Sequence, residues 1–243
     1  MGTGVAPPPL RPGKFSENFN SEPVACCQAY TLTRFGQTLK IVRLAMRNAM
    51  KEHIAAIFEA SIAAKQQFLQ THSDALIQAT EAVLKSIRTG GKILLFGNGG
   101  SAADAQHIAA EFVNRYLIER PPLPAIALTT DTSALTSIIN DYGPLDVFAK
   151  QIQALGKPDD IAIAISTSGN SPNILRALEV CRELGMSTIG LTGGSGGDMP
   201  AYVDHCLCVA ATNVTPRIQE THILIGHVIC ELVDHILYGE GLA

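Results

Sequence analysis

Lys92-Ile93-Leu94-Leu95-Phe96-Gly97-Asn98-Gly99-Gly100-Ser101-Ala102-Ala103-Asp104-Ala105-Gln106-His107 decides the reading of this chain. A short apolar run enters a glycine-rich turn, and Ala-rich helical sequence follows at once, which reads as strand, turn, helix. The same beat recurs downstream. Apolar runs at 92–96, 125–129, 161–166, 187–192 and 205–209 predict five strands, and helical stretches near 101–116, 133–154, 172–184 and 217–238 fill the gaps. We therefore expect an α/β fold, a three-layer αβα arrangement around a doubly wound, parallel, five-stranded sheet. Ligands of such sheets bind beyond the carboxyl ends of the strands, where the chain turns into helices.

Upstream of the first strand, Ile54, Ile57, Phe58, Ile62 and Phe68 recur at helical spacing from Met46 onward. A second N-terminal helix is expected to start after Ser73 and to end at Thr89-Gly90-Gly91. Residues 1 to about 45 differ: Pro7-Pro8-Pro9, Pro12 and Gly13 open a stretch without sustained period. They are expected to be a disordered extension, or the product of a start placed upstream of Met46, leaving 46–243 as the domain. No apolar segment of a secretory signal follows the start, and Glu17 and Glu22 count against a transit peptide.

The 243 residues are 47% hydrophobic and 16% charged. No uninterrupted apolar run reaches the roughly 20 residues of a membrane span. The net charge is −4, and −7 without residues 1–45, which argues against nucleic acid or an acidic membrane surface as a partner. The low charged fraction hints that helix faces usually left in water are covered by other subunits. None of the six cysteines forms a C-x-x-C pair, which excludes a zinc ribbon. Cys206 and Cys208 alternate in an apolar run and read as small buried hydrophobes on a strand, consistent with a reducing cytoplasm.

Gly97, Gly99 and Ala102 satisfy G-x-G-x-x-A, but a dinucleotide site wants an acidic residue about 20 positions on, whereas Asp131 lies 34 past Gly97. No Lys follows these glycines, so a P-loop is excluded. The turn Ser166-Thr167-Ser168-Gly169-Asn170-Ser171-Pro172 is chemically richer. It joins four hydroxyls and a flexible glycine to a helix start, with Ser171 at the N-cap and Pro172 at the first helical position. Backbone N–H groups, the helix dipole and hydroxyl donors there suit a phosphate dianion without a lysine.

His107 and Glu111 stand at i and i+4 and share a helix face, a pair able to bind metal or to act as acid and base. On the last helix Gln219 and His227 lie about 80° apart around the axis, whereas His222 lies about 140° from His227. Each histidine taken singly also fits an ordinary hydrogen-bonded structural role, and spacing alone leaves both readings open.

Together, Gly97-Asn98-Gly99-Gly100-Ser101-Ala102-Ala103-Asp104-Ala105-Gln106-His107 with Glu111, the turn Ser166–Ser171, and Arg217-Ile218-Gln219-Glu220 with His227 resemble the signature of phosphoheptose isomerases, enzymes built on a sugar-isomerase (SIS) domain. The likeness runs from about Met46 to the C-terminus. It implies isomerisation of sedoheptulose 7-phosphate to D-glycero-D-manno-heptose 7-phosphate, the first step of the ADP- or GDP-heptose routes to surface glycans. It further implies a zinc-containing homotetramer with active sites between subunits. Zinc ligands carried over by motif are His107, Glu111, Gln219 and His227. Substrate contacts are Asn98, Gly99, Gly100, Glu111, Asn140, Asp141, Ser166, Thr167, Ser168, Ser171 and Gln219, the serine-rich set holding the phosphate. Glu111 is then the base and His227 the proton shuttle. Two rivals share the fold: a non-enzymatic SIS tetramer that binds the bacterial replication initiator, and an isomerase of another phosphosugar. The former lack residues matching Glu111 and His227, and both are present here.

Overall fold

In a computed structural model, the described residues are 25–239, with side chains described from residue 43. The chain divides after Ile54 into two units, and the second carries the sheet. The elements are α1 (Ala25–Arg88), β1 (Ile93–Gly97), α2 (Gly100–Val113), β2 (Ala125–Ala127), α3 (Thr132–Tyr142), α4 (Ala149–Leu155), β3 (Ile161–Ile165), α5 (Pro172–Glu183), β4 (Ser187–Gly193), β5 (His205–Val209) and α6 (Thr215–Tyr238). The five strands form one parallel sheet in the order β2-β1-β3-β4-β5. The expected α/β sheet is thus present.

Strands β1 and β3 are buried along their whole length, which is why they read as unbroken apolar runs rather than alternating ones. Their pleat feeds two cores. Ile93, Leu95, Ile161, Ile163 and Ile165 join Val83, Ile108, Phe112 and Ile225 from α1, α2 and α6 on one face. Leu94, Phe96, Ala162 and Ala164 join Ile152, Ile174, Leu178 and Cys181 from α4 and α5 on the other. Small alanines on that side of β3 let the helices lie close to the sheet.

The structure departs from the sequence reading at several points. Ser73 does not start a second helix: its hydroxyl bonds back to the Leu69 carbonyl inside α1, using an i−4 acceptor in place of a cap. Residues 25–45 also fall within α1, while 1–24 lie outside the described residues. The stretch 133–154 is two helices, because Gly143, at φ 87°, closes α3 with its N–H on Ile139 and Pro144 follows. Asp131 caps α3, its carboxylate accepting from the Ala134 N–H at 3.0 Å. Cys206 and Cys208 lie on β5 but are half-buried, because β5 is the sheet edge and only Leu207 and Val209 face the closed core.

His222 turns away from the other histidines, as its position on the helix wheel requires. It is fully buried, with Nε2 2.9 Å from the Thr192 carbonyl and Nδ1 without a partner. Burial pushes its pKa from 6.5 down to about 4, against a smaller upward pull from Thr192. The folded protein therefore keeps this ring neutral while the unfolded chain protonates below 6.5, so stability is lost as pH falls from 6.5 towards 4. Urea unfolding across that window should lose about 3 kcal/mol through this group, and His222→Gln should flatten the slope; an unchanged slope in the variant refutes the assignment.

Candidate active site

Helices α2 and α6 pack side by side, with Gly226 of α6 against Ile108 of α2: a side chain at Gly226 would collide with Ile108. The next residue on α6 is His227, and the preceding residue on α2 is His107. Their Nε2 atoms stand 2.9 Å apart. Glu111, one turn along α2, has Oε1 3.4 Å from the same nitrogen of His107. One ligand atom from each of the three residues lies within 4.8 Å of the other two. His107 is half-exposed and Glu111 partly buried, so the cluster opens to solvent on one side.

Two imidazole nitrogens and a carboxylate oxygen suit zinc. A tetrahedral ion with Zn–N bonds of about 2.0–2.1 Å needs its two nitrogens about 3.3 Å apart, close to the spacing here. Burial, and then the neighbouring His107, push the His227 pKa down, with Glu111 opposing. The balance favours the neutral ring, the form in which it ligates a metal or accepts a proton.

Two residues not singled out from the sequence join this cluster. Tyr116 stacks on His227 with ring centroids 5.4 Å apart and an interplanar angle of 28°. Burial, together with Glu231, Cys230 and Glu111, pushes its pKa up. It lies three residues past the end of α2, which stops at Val113 short of the expected 116. Asp104, one turn before His107, has a buried carboxylate oxygen without a hydrogen-bond partner. Burial pushes its pKa up, with His107 opposing.

The serine-rich turn links β3 to α5. Gly169 sits at φ 66°, where a Cβ would strike the Gly196 carbonyl, so only glycine fits. Ser171 is the N-cap by position, yet its hydroxyl makes no cap bond; it lies 3.1 Å from the Ser166 hydroxyl. Ser168 accepts from the Asn170 N–H at 3.2 Å, and Asn170 in turn accepts from the Asp198 N–H at 2.8 Å. Thr167 is partly buried and Ser168 exposed. The turn therefore offers hydroxyls and the Asn173 N–H to an anion, since Pro172 has no N–H and those of Ile174 and Leu175 donate to the Ser171 carbonyl.

The glycine turn after β1 lies beside it, because β1 and β3 are neighbours in register, Gly97 opposite Ile165. Asn98 and Asn173 exchange amide hydrogen bonds of 2.9 and 3.0 Å across the gap; Asn173 was not foreseen. Gly99 takes φ 55°, and Gly100 is so close to the Gln219 amide that a Cβ there would collide with it. Gln219 is thus placed over the start of α2. Asn140 and Asp141 lie at the exposed end of α3, bonded to each other at 2.8 Å; no described hydrogen bond joins them to the cluster.

The fold is thus a parallel α/β sheet with a serine-rich, helix-opening turn at its switch point and a His/Glu/His cluster on α2 and α6. Consistent with that, a family model described as SIS domain matches residues 57–193. The phosphoheptose isomerase of Roseiflexus sp. is 55% identical over 182 residues, spanning 75% of this chain and 92% of the relative. Phosphoheptose isomerase 2 of Campylobacter jejuni is 51% identical over 196 residues, spanning 80% and 97%. The solved structure of the phosphoheptose isomerase of Neisseria gonorrhoeae matches with a TM-score of 0.72 at 47% identity, covering 76% of this chain and 98% of that one. The chain belongs to the phosphoheptose isomerase family of SIS-domain enzymes.

Gly169→Ala tests the turn. Its left-handed backbone alone costs a side-chain-bearing residue about 1–2 kcal/mol, and the collision with Gly196 adds to that. Urea unfolding should show a loss of at least about 2 kcal/mol, and wild-type stability would refute the conformational requirement.

Proposed function

We propose that this chain converts sedoheptulose 7-phosphate to D-glycero-D-manno-heptose 7-phosphate through a cis-enediol, the entry step to ADP- or GDP-heptose for surface glycans. The observation that carries the reading is the convergence of His107, Glu111 and His227 from two helices, with a phosphate-suited turn at the carboxyl end of the same sheet. Family membership at about half identity supports it.

On this reading Ser166, Thr167, Ser168 and Ser171 hold the phosphate with the Asn173 N–H at the start of α5. Asn98, Gly99, Gly100 and Gln219 line the sugar, and Asn140 and Asp141 complete the contacts. Anchoring the phosphate fixes the carbonyl end of the sugar against α2 and α6. Glu111 takes the proton from the carbon beside the carbonyl and returns it to its neighbour. His227, held neutral, moves a proton between the two oxygens of the enediol. His107, Glu111 and His227, with Gln219 as fourth ligand, would hold zinc, which when bound polarises those oxygens as a Lewis acid.

We read the assembly as a homotetramer with sites shared between subunits. Ile57, Phe58, Ile62, Leu69 and Ile77 are large apolar side chains left in water along α1. An apolar groove of about 260 Å³ opens beside them, lined by Phe68, Leu69, Leu76, Leu224, Ile225 and Val228. Such a surface favours burial against another subunit, and the exposed Asn140 and Asp141 suit a site completed that way. Among the described residues no helix is long and apolar enough to cross a membrane. The cysteines with described side chains are all free, which supports a cytoplasmic setting. The isomerase domain on this reading is 46–243, with 1–45 an extension outside it.

NMR of the purified protein with a panel of phosphosugars, following aldose against ketose, should show turnover of sedoheptulose 7-phosphate. Glu111→Gln should lower kcat by about 10²–10⁴-fold with fold and phosphate affinity retained. Near-normal turnover in that variant would sink the mechanism.

A further inference from the structure

Arg120 lies in the loop after α2, and its side chain is wholly buried. Its Nε donates to Asp234 Oδ1 of α6 at 2.6 Å, and that carboxylate is 1% exposed. Its Nη2 donates to the Glu111 carbonyl at 2.8 Å and its Nη1 to the Phe112 carbonyl at 2.7 Å. Longer bonds from Nη1 reach the carbonyls of Pro121 at 3.1 Å and Asn114 at 3.4 Å. The last carbonyls of a helix lack intrahelical partners and carry the negative end of its dipole. A single cation therefore caps α2, and one of the carbonyls it holds belongs to Glu111 itself.

Asp234 stands seven residues, about two turns, beyond His227 on α6. The guanidinium thus grips the backbone of one member of the cluster and the helix that carries another. Apolar packing, such as Ile108 against Gly226, presses α2 and α6 together but is non-directional and permits sliding along the interface. A planar fork with fixed donor directions does not. Three side chains from two helices that must converge on one point need that second kind of contact. Buried as it is, Arg120 has no access to a ligand in the open cluster.

We infer that Arg120, paired with Asp234, is a positioning residue that sets His107 and Glu111 against His227. Its catalytic consequence rests on the isomerase reading above; its consequence for metal affinity does not. Arg120→Lys keeps the charge but cannot reach Asp234 and both α2 carbonyls together, and Asp234→Asn keeps the shape while removing the charge. Each full-length variant should fold by circular dichroism, lose about 10–100-fold in kcat with KM changed less than about twofold, and bind zinc about 10–100-fold more weakly in chelator competition with the metal-free protein. Folded variants with wild-type kcat and zinc affinity overturn the inference, even if they melt earlier. Failure of both variants to fold overturns it as well, since the pair then holds the fold and not the site. If the wild type does not turn over sedoheptulose 7-phosphate, the isomerase reading fails, and the zinc measurement still decides the role of Arg120.

Discussion

The parallel pairing of β1 with β3, Gly97 opposite Ile165, is the constraint on which the site depends. Neighbouring parallel strands in that register end at the same level, so the turns that follow them emerge side by side. Here those turns are the glycine-rich and serine-rich ones, and Asn98 and Asn173 tie them together. The chain leaves β1 for β2 on one side and resumes at β3 on the other, so the strand order reverses at this point. An opening between diverging helices is the geometric result, and the helices that border it, α2 and α5, both begin there.

Charge is managed locally in this acidic chain. The serine-rich turn presents hydroxyls and the Asn173 N–H at a helix start, groups that act over short distances and include no basic residue. In the cluster between α2 and α6, burial and the neighbouring His107 favour the neutral form of His227, with Glu111 opposing. Arg120 and Asp234 are placed in the interior, where each is the other's counter-ion. Taking such ions out of water is costly, and a buried pair of this kind is weak support for stability as such. Its directional geometry, set where α2 ends and α6 passes, is what an apolar contact could not supply.

The order of elements and the serine-rich turn were legible because they depend on short-range signals: apolar runs, glycine turns and the residue types that open helices. Breaks that depend on competition between local options were not. Ser73 carries a capping side chain, yet its hydroxyl is satisfied inside α1 and the helix continues. Gly143-Pro144 sits inside an otherwise helical pattern, and the left-handed glycine ends α3 there. Cys206 and Cys208 look like core residues, but only the position of β5 at the sheet edge leaves them half-covered. Tyr116 and Asn173 carried no periodic or motif signal, since each matters only through a residue distant in the chain.

The fold class follows from the residue order alone, because the alternation of apolar strands with helices admits a parallel sheet and little else. The same order places His107 with Glu111 on one face of a helix, since i and i+4 are neighbours on any α-helix. The packing of helices brings His227 to His107 from 120 residues away, turns His222 elsewhere, and bridges the end of α2 to α6 through Arg120 and Asp234. The reason is physical: spacing along one helix is set by backbone geometry, whereas the approach of two helices is set by what fits between them, here Gly226 against Ile108 and one buried guanidinium.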